Sequence, residues 1–219
     1  MTRVKICCIS SIGEANLAIK YGASALGLVS NMPSGPGVIT EELITEIAES
    51  VPPGISTFLL TSKQSVDEIV AQQKRCRTNT IQICDHLLHG TYPELKNKLP
   101  GIKIVQVIHV TGEESLHEAV EVSKHVDAIL LDSGNQKLEV KELGGTGRVH
   151  DWNVSQKIRE AIKIPMFLAG GLNSGNVGNA IQHVKPYGVD ICSGVRTNGK
   201  LDEVKLKSFF EAVRKHGKY

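Results

Sequence analysis

Two side chains stand at the ends of apolar runs, where acid–base chemistry would need them. Cys7 lies near the close of Val4-Lys-Ile-Cys-Cys-Ile9, and Asp132 follows Ile129-Leu-Leu. Strand alternation puts Lys5 and Cys7 on one face and Ile6 and Cys8 on the other. If the apolar face meets the helices, Lys5 and Cys7 look into the interior. A thiol beside a cation loses its proton more readily and can act as a general base. A small buried cysteine can equally fill core space. Asp132 can donate a proton where burial raises its pKa, or it can serve as a loop hydrogen-bonder, as aspartates often do. Asp127 starts the same run at its opposite end and reads as structural.

Late in the chain come two glycine turns, each after an apolar run: Pro165-Met-Phe-Leu-Ala-Gly-Gly-Leu172 and Gly188-Val-Asp-Ile-Cys-Ser-Gly-Val195. Glycine lets the main chain approach a ligand closely, and amides opening the next helix can face an anion. Barrels of eight β/α units commonly bind phosphate after strands 7 and 8. A third glycine cluster, Gly144-Gly-Thr-Gly147, precedes Arg148, His150 and Trp152. It lacks the spacing of a nucleotide-binding loop and reads equally well as a flexible hairpin tip.

The elements needed to position these groups alternate along the chain. Strand-like runs are expected at Val4–Ile9, Ala25–Val29, Ile55–Leu60, Thr80–Ile83, Ile102–Ile108, Ala128–Leu131, Met166–Ala169 and Val189–Ile191. Between and after them lie stretches with helical spacing, one opened by Thr40 with Glu41 and Glu42 in its first turn. The segment from Asp132 to His150 is too long for an ordinary βα turn and reads as functional. Eight units without a composition break predict a single domain over residues 1–219, an α/β fold of the (β/α)8 TIM barrel class. A doubly wound open sheet is the competing architecture.

Composition narrows the function. Of 219 residues 41% are hydrophobic and 22% charged, with a net charge of +2 and only 4% aromatics. That balance argues against a nucleic-acid partner. No apolar run reaches the roughly 20 residues needed to span a bilayer, so no membrane partner is expected. The five cysteines are an odd number without paired metal-ligand spacing, and the eight histidines form no zinc-like pair with a third ligand. Reduced thiols, a cytoplasmic location and no bound metal are the expectation.

Taken together, these segments resemble the phosphoribosylanthranilate isomerase family of tryptophan biosynthesis. Lys5-Ile-Cys-Cys-Ile-Ser10 is similar to its opening Lys-Ile-Cys-Gly-Ile-Thr. Leu130-Leu-Asp-Ser133, Gly144-Gly-Thr-Gly147 with Asp151-Trp152, Leu168-Ala-Gly-Gly-Leu-Asn173 with Asn176-Val177, and Val189-Asp-Ile-Cys-Ser-Gly-Val195 follow in the family's order. The resemblance implies an Amadori rearrangement, an aldose–ketose isomerisation of a small phosphorylated sugar derivative, without a cofactor. By carry-over Asp132 is the general acid and Cys7 the general base. The phosphate would rest on Gly145, Gly170, Gly171, Ser193 and Gly194. Relatives include monomers and homodimers.

Three positions depart from the pattern. The family's Pro-Lys-Ser-Pro-Arg-Tyr loop is Pro33-Ser-Gly-Pro-Gly-Val38 here, with Gly37 at the arginine that holds the anthranilate carboxylate. The family's Val-Gln-Leu-His-Gly becomes Ile81-Gln-Ile-Cys-Asp85, placing Cys84 at the histidine. Arg196 replaces the acidic residue that often ends the last phosphate motif. A lost guanidinium–carboxylate contact weakens aryl binding unless another cation, Arg148 or Arg196, replaces it. The alternatives are a related sugar-phosphate isomerase of altered specificity and a non-catalytic phosphosugar-binding paralogue.

Overall fold

Eight parallel strands close into a barrel in the computed structural model, which describes residues 2–134, 140–144 and 147–217. They are β1 (Arg3–Ile6), β2 (Ala25–Val29), β3 (Ser56–Thr61), β4 (Thr80–Ile83), β5 (Lys103–His109), β6 (Ala128–Asp132), β7 (Met166–Leu168) and β8 (Gly188–Ile191). Each pairs with the next, and β8 returns to β1 with Lys5 beside Asp190. That last pairing removes the open doubly wound sheet from consideration.

Eight helices alternate with the strands: α1 (Ile12–Tyr21), α2 (Glu41–Ser50), α3 (Val66–Cys76), α4 (Tyr92–Lys98), α5 (Glu114–Ser123), α6 (Trp152–Ala161), α7 (Val177–Val184) and α8 (Glu203–His216). Five begin on a side chain that accepts an otherwise unpaired amide: Ser11, Thr40, Thr91, Asp151 and Asp202. The cap and acidic first turn expected at Thr40 are present. No helix among the described residues is long and apolar enough to cross a membrane.

Alternation along the strands sorts side chains into two layers. Ile129 and Leu131 of β6 join the outer core between sheet and helices, with Ile6 and Leu59. Ala128 and Leu130 face inward with Phe58, Leu60, Val105, Val107 and Phe167. The same period carries Cys7 and Asp132 to the inner face at the strands' C-terminal ends, where barrels place their chemistry.

Two local features depart from the sequence expectation. β1 stops at Ile6, because Cys8 takes a left-handed φ of 61°. Alternation ends there, so Cys8 joins the inner cluster instead of facing the helices with Ile6. Beyond β8, a short hairpin of β9 (Arg196–Thr197) and β10 (Lys200–Leu201) interrupts the run to α8. Asn198 and Gly199, both at positive φ, form its turn.

Candidate active site

Cys7 sits at the mouth of the barrel, 7% exposed, with its amide donating to the Ile191 carbonyl at 2.8 Å. Beneath it Lys5 is fully buried and paired with Asp190 at 2.9 Å. Burial opposes the Lys5 charge, but Asp190 and the Cys7 sulfur outweigh it and hold the ammonium above its ordinary range. The Lys5 ammonium also stands 5.2 Å from the centre of the Phe58 ring. Gly27 leaves room for both groups. A Cβ there would lie 2.9 Å from Cys7 Sγ and 3.0 Å from Lys5 Nζ.

Asp132 ends β6 with its carboxyl turned into the same cleft. Its Oδ1 accepts from the Ser133 amide at 2.7 Å. Its Oδ2 lies 2.6 Å from where a Cβ on Gly144 would stand, so Gly144 keeps that side open. Cys7 and Asp132 line one cleft, together with Gln82, Cys84, Asp190, Gly170, Gly171 and Ser193.

The glycine turns line the same cleft. Gly170 and Gly171 both take positive φ, 83° and 60°. A Cβ on Gly171 would meet the Arg148–Val149 backbone at 2.8 Å, and one on Gly194 would meet the Leu172 carbonyl at 2.1 Å. Backbone therefore packs on backbone through these loops, leaving main chain facing the cleft. Ser193 opens a turn of 3-10 helix, and Gly147 approaches its hydroxyl. Gly145 lies outside the described residues.

Comparison with known proteins gives the family. Residues 4–212 match the family model described as N-(5'phosphoribosyl)anthranilate (PRA) isomerase. The chain belongs to the phosphoribosylanthranilate isomerase family. An N-(5'-phosphoribosyl)anthranilate isomerase of Methanothrix thermoacetophila is 37% identical over 98% of this chain and 99% of its own length. The solved phosphoribosylanthranilate isomerase of Pyrococcus furiosus superposes with a TM-score of 0.81 at 29% identity, covering 98% of this chain and all of that one. A further solved family member, in complex with reduced 1-(o-carboxyphenylamino)-1-deoxyribulose 5-phosphate, gives 0.78 at 26% identity, covering 98% and 100%.

Within this phosphoribosylanthranilate isomerase fold the unusual positions have physical accounts. At Gly37, φ is 81°, and an added Cβ would lie 2.4 Å from the Cys8 Cβ. Cys8 stands where the family motif has glycine, so a side chain at 8 excludes one at 37. Cys84 is buried against Cys7 and Gln82, and burial, reinforced by Cys7, pushes its thiol up to about 12.

Neither candidate replacement cation lines the cleft. Arg196 is committed elsewhere, donating to both Glu14 oxygens (3.0 and 3.1 Å), to the Gly199 carbonyl at 2.9 Å and to the carbonyls of Cys7 and Cys8. Burial pushes the Glu14 carboxyl up, but Arg196 and two amides outweigh it and hold it below its usual range. Arg196 thus straps the end of β1 to α1 and is spent as a positioning group. Arg148 pairs with Glu142 at the surface.

Sequence reasoning missed several cleft residues. Asp190 could have been found from alternation, since Val189 and Ile191 on either side face the outer core. Gly27 carries no signal in the sequence, because its importance is the space it leaves beside Cys7. Cys8 and Cys192 also line the cleft.

Proposed function

We propose that this isomerase rearranges phosphoribosylanthranilate with Asp132 as general acid and Cys7 as general base. The observation that carries the reading is that thiol, carboxyl and the glycine turns line a single cleft. Asp132 protonates the furanose ring oxygen and the ring opens to a Schiff base. Cys7 then removes the C2′ proton, giving an enolamine that tautomerises to the ketone. Both steps need one donor and one acceptor fixed about a small sugar, which barrel strands supply. The phosphate rests on amides of Gly170, Gly171, Ser193 and Gly194. Val29, Met32, Leu60 and Leu143 offer an apolar wall for the aryl ring.

The test is the fall in anthranilate fluorescence as purified protein turns over phosphoribosylanthranilate. Cys7→Ala and Asp132→Asn should each lower kcat/KM by about 10²–10⁴-fold while the fold is retained. Absence of turnover by the unaltered chain contradicts the reading. Phosphate binding without turnover then favours a binding protein, and turnover of another aldosylamine phosphate favours altered specificity.

A further inference from the structure

Three sulfurs crowd the rim, and the mechanism uses only one. Cys8 Sγ and Cys192 Sγ are 2.7 Å apart, inside the contact distance of two sulfurs, although the residues are 184 positions apart in sequence. Both thiols are free, and both line the cleft between Cys7 and Ser193. Their approach has a backbone cause. Left-handed φ at Cys8 swings its side chain off the alternating pattern and toward the end of β8. Gly37 vacates the space beside it, and the Arg196 guanidinium holds the Cys8 carbonyl in place.

We propose that Cys8 and Cys192 form a reversible disulfide at the rim of the cleft, and that this bridge brakes the isomerase. Closure needs a further approach of only about 0.7 Å to reach a covalent S–S length of about 2.0 Å. The two sulfurs also differ in character. The hydrogen bond with Cys8, aided by Arg196 and opposed by burial, draws the Cys192 thiol below its usual range. The same contact, with Cys7 and burial, drives Cys8 well above. Cys192 is the only one of the five cysteines that is not buried. It is therefore the sulfur a solvent oxidant meets, and Cys8 is the resolving partner.

The chemistry balances with a hydroperoxide as oxidant. The Cys192 thiolate attacks one peroxide oxygen, the O–O bond breaks, and an alcohol or water leaves with the thiol's proton. Cys8 sulfur then attacks the Cys192 sulfenic sulfur, forming S–S, breaking S–O and releasing water. Two thiols lose two electrons and the peroxide gains them; a dithiol reductant reverses the change. The bridge ties the residue next to Cys7 to the residue next to Ser193. The brake rests on the assignment of Cys7 as base, but bridge formation does not.

The experiment treats the full-length protein with stoichiometric hydrogen peroxide, blocks remaining thiols, and maps peptides before and after dithiothreitol. The expected product is a peptide joining Cys8 to Cys192, with free thiols falling from five to three. It should form equally in Cys7→Ala and fail in Cys192→Ala. Turnover of the unaltered chain should fall at least about tenfold as the bridge forms and return on reduction, because misplacing a reacting group by about 1 Å can cost 10²-fold. A Cys7–Cys8 product, or oxidised Cys7 beside unreacted Cys192, overturns the pairing. Full bridging with unchanged turnover overturns the brake. Bridging in Cys7→Ala separates either failure from a failure of the proposed mechanism.

Discussion

The glycine turns and the segment around Gly37 are built by different means. At the glycine turns, Gly171 and Gly194 are fixed by backbone that approaches to within 2.1–2.8 Å of where a Cβ would stand, and Gly170 by the His150 ring at 2.9 Å and the Arg148 carbonyl at 3.2 Å. At Gly171 and Gly194 the obstacle includes main chain, which no neighbouring side-chain change can move aside. Around Gly37 the same demand is shared between side chains. Cys8 fills what Gly37 leaves, and Asp85 holds Lys141 at 2.6 Å. Ser34 reaches across the mouth to the Lys141 carbonyl, also at 2.6 Å. A site made from backbone geometry keeps its residues, whereas one made from paired side chains can exchange them together.

That contrast can be broken by substitution. Gly194→Ala forces the loop off the Leu172 carbonyl, so KM for a phosphorylated substrate should rise on the order of 10²-fold. No single change in a neighbouring side chain should restore it. Steady-state kinetics on a small second-site panel decides this, and a side-chain rescue would dissolve the distinction between the two regions.

A smaller effect is expected at Gly37. Gly37→Arg should destabilise the chain, and Cys8→Gly should relieve part of that loss by removing the opposing Cβ. Denaturant unfolding of the four proteins in the cycle should give a coupling of about 0.5–3 kcal/mol in favour of the double variant. Simple additivity would mean that Cys8 and Gly37 do not share one space.

The smallest effect concerns His150, which packs beside Gly170 and bonds Ser155 at 2.8 Å. Burial holds its imidazole below the ordinary value of 6.5, with Asp132 and Asp151 pulling weakly against it. The unfolded chain therefore binds the proton first. Stability contributed by the neutral ring is complete above about pH 6.5 and declines as pH falls below it. His150→Gln should flatten the slope of unfolding free energy between pH 7 and 5. An unchanged slope would assign that dependence to other groups.

The barrel itself was legible because strand-length apolar runs alternate with helical spacing along the chain, with one helix start announced by its cap at Thr40. Cys7 and Asp132 were legible because alternation alone points them inward. Cys8 was not, since its left-handed turn is imposed by the loop it meets rather than announced by a strand pattern. The β9–β10 hairpin is two residues per strand, too short for any periodicity to register. Arg196 looked like a spare cation because its partner, Glu14, lies 182 residues away and becomes a neighbour only after closure of β8 on β1.

The most direct test of a shared acid–base cleft is a crystal structure with the reduced aminoketose phosphate bound. The account predicts Cys7 Sγ facing the C2′ carbon, the Asp132 carboxyl at the hydroxyl derived from the ring oxygen, and the phosphate against Ser193 and Gly194. A ligand seated with its phosphate elsewhere, or with either Cys7 or Asp132 out of reach of the sugar, would contradict it.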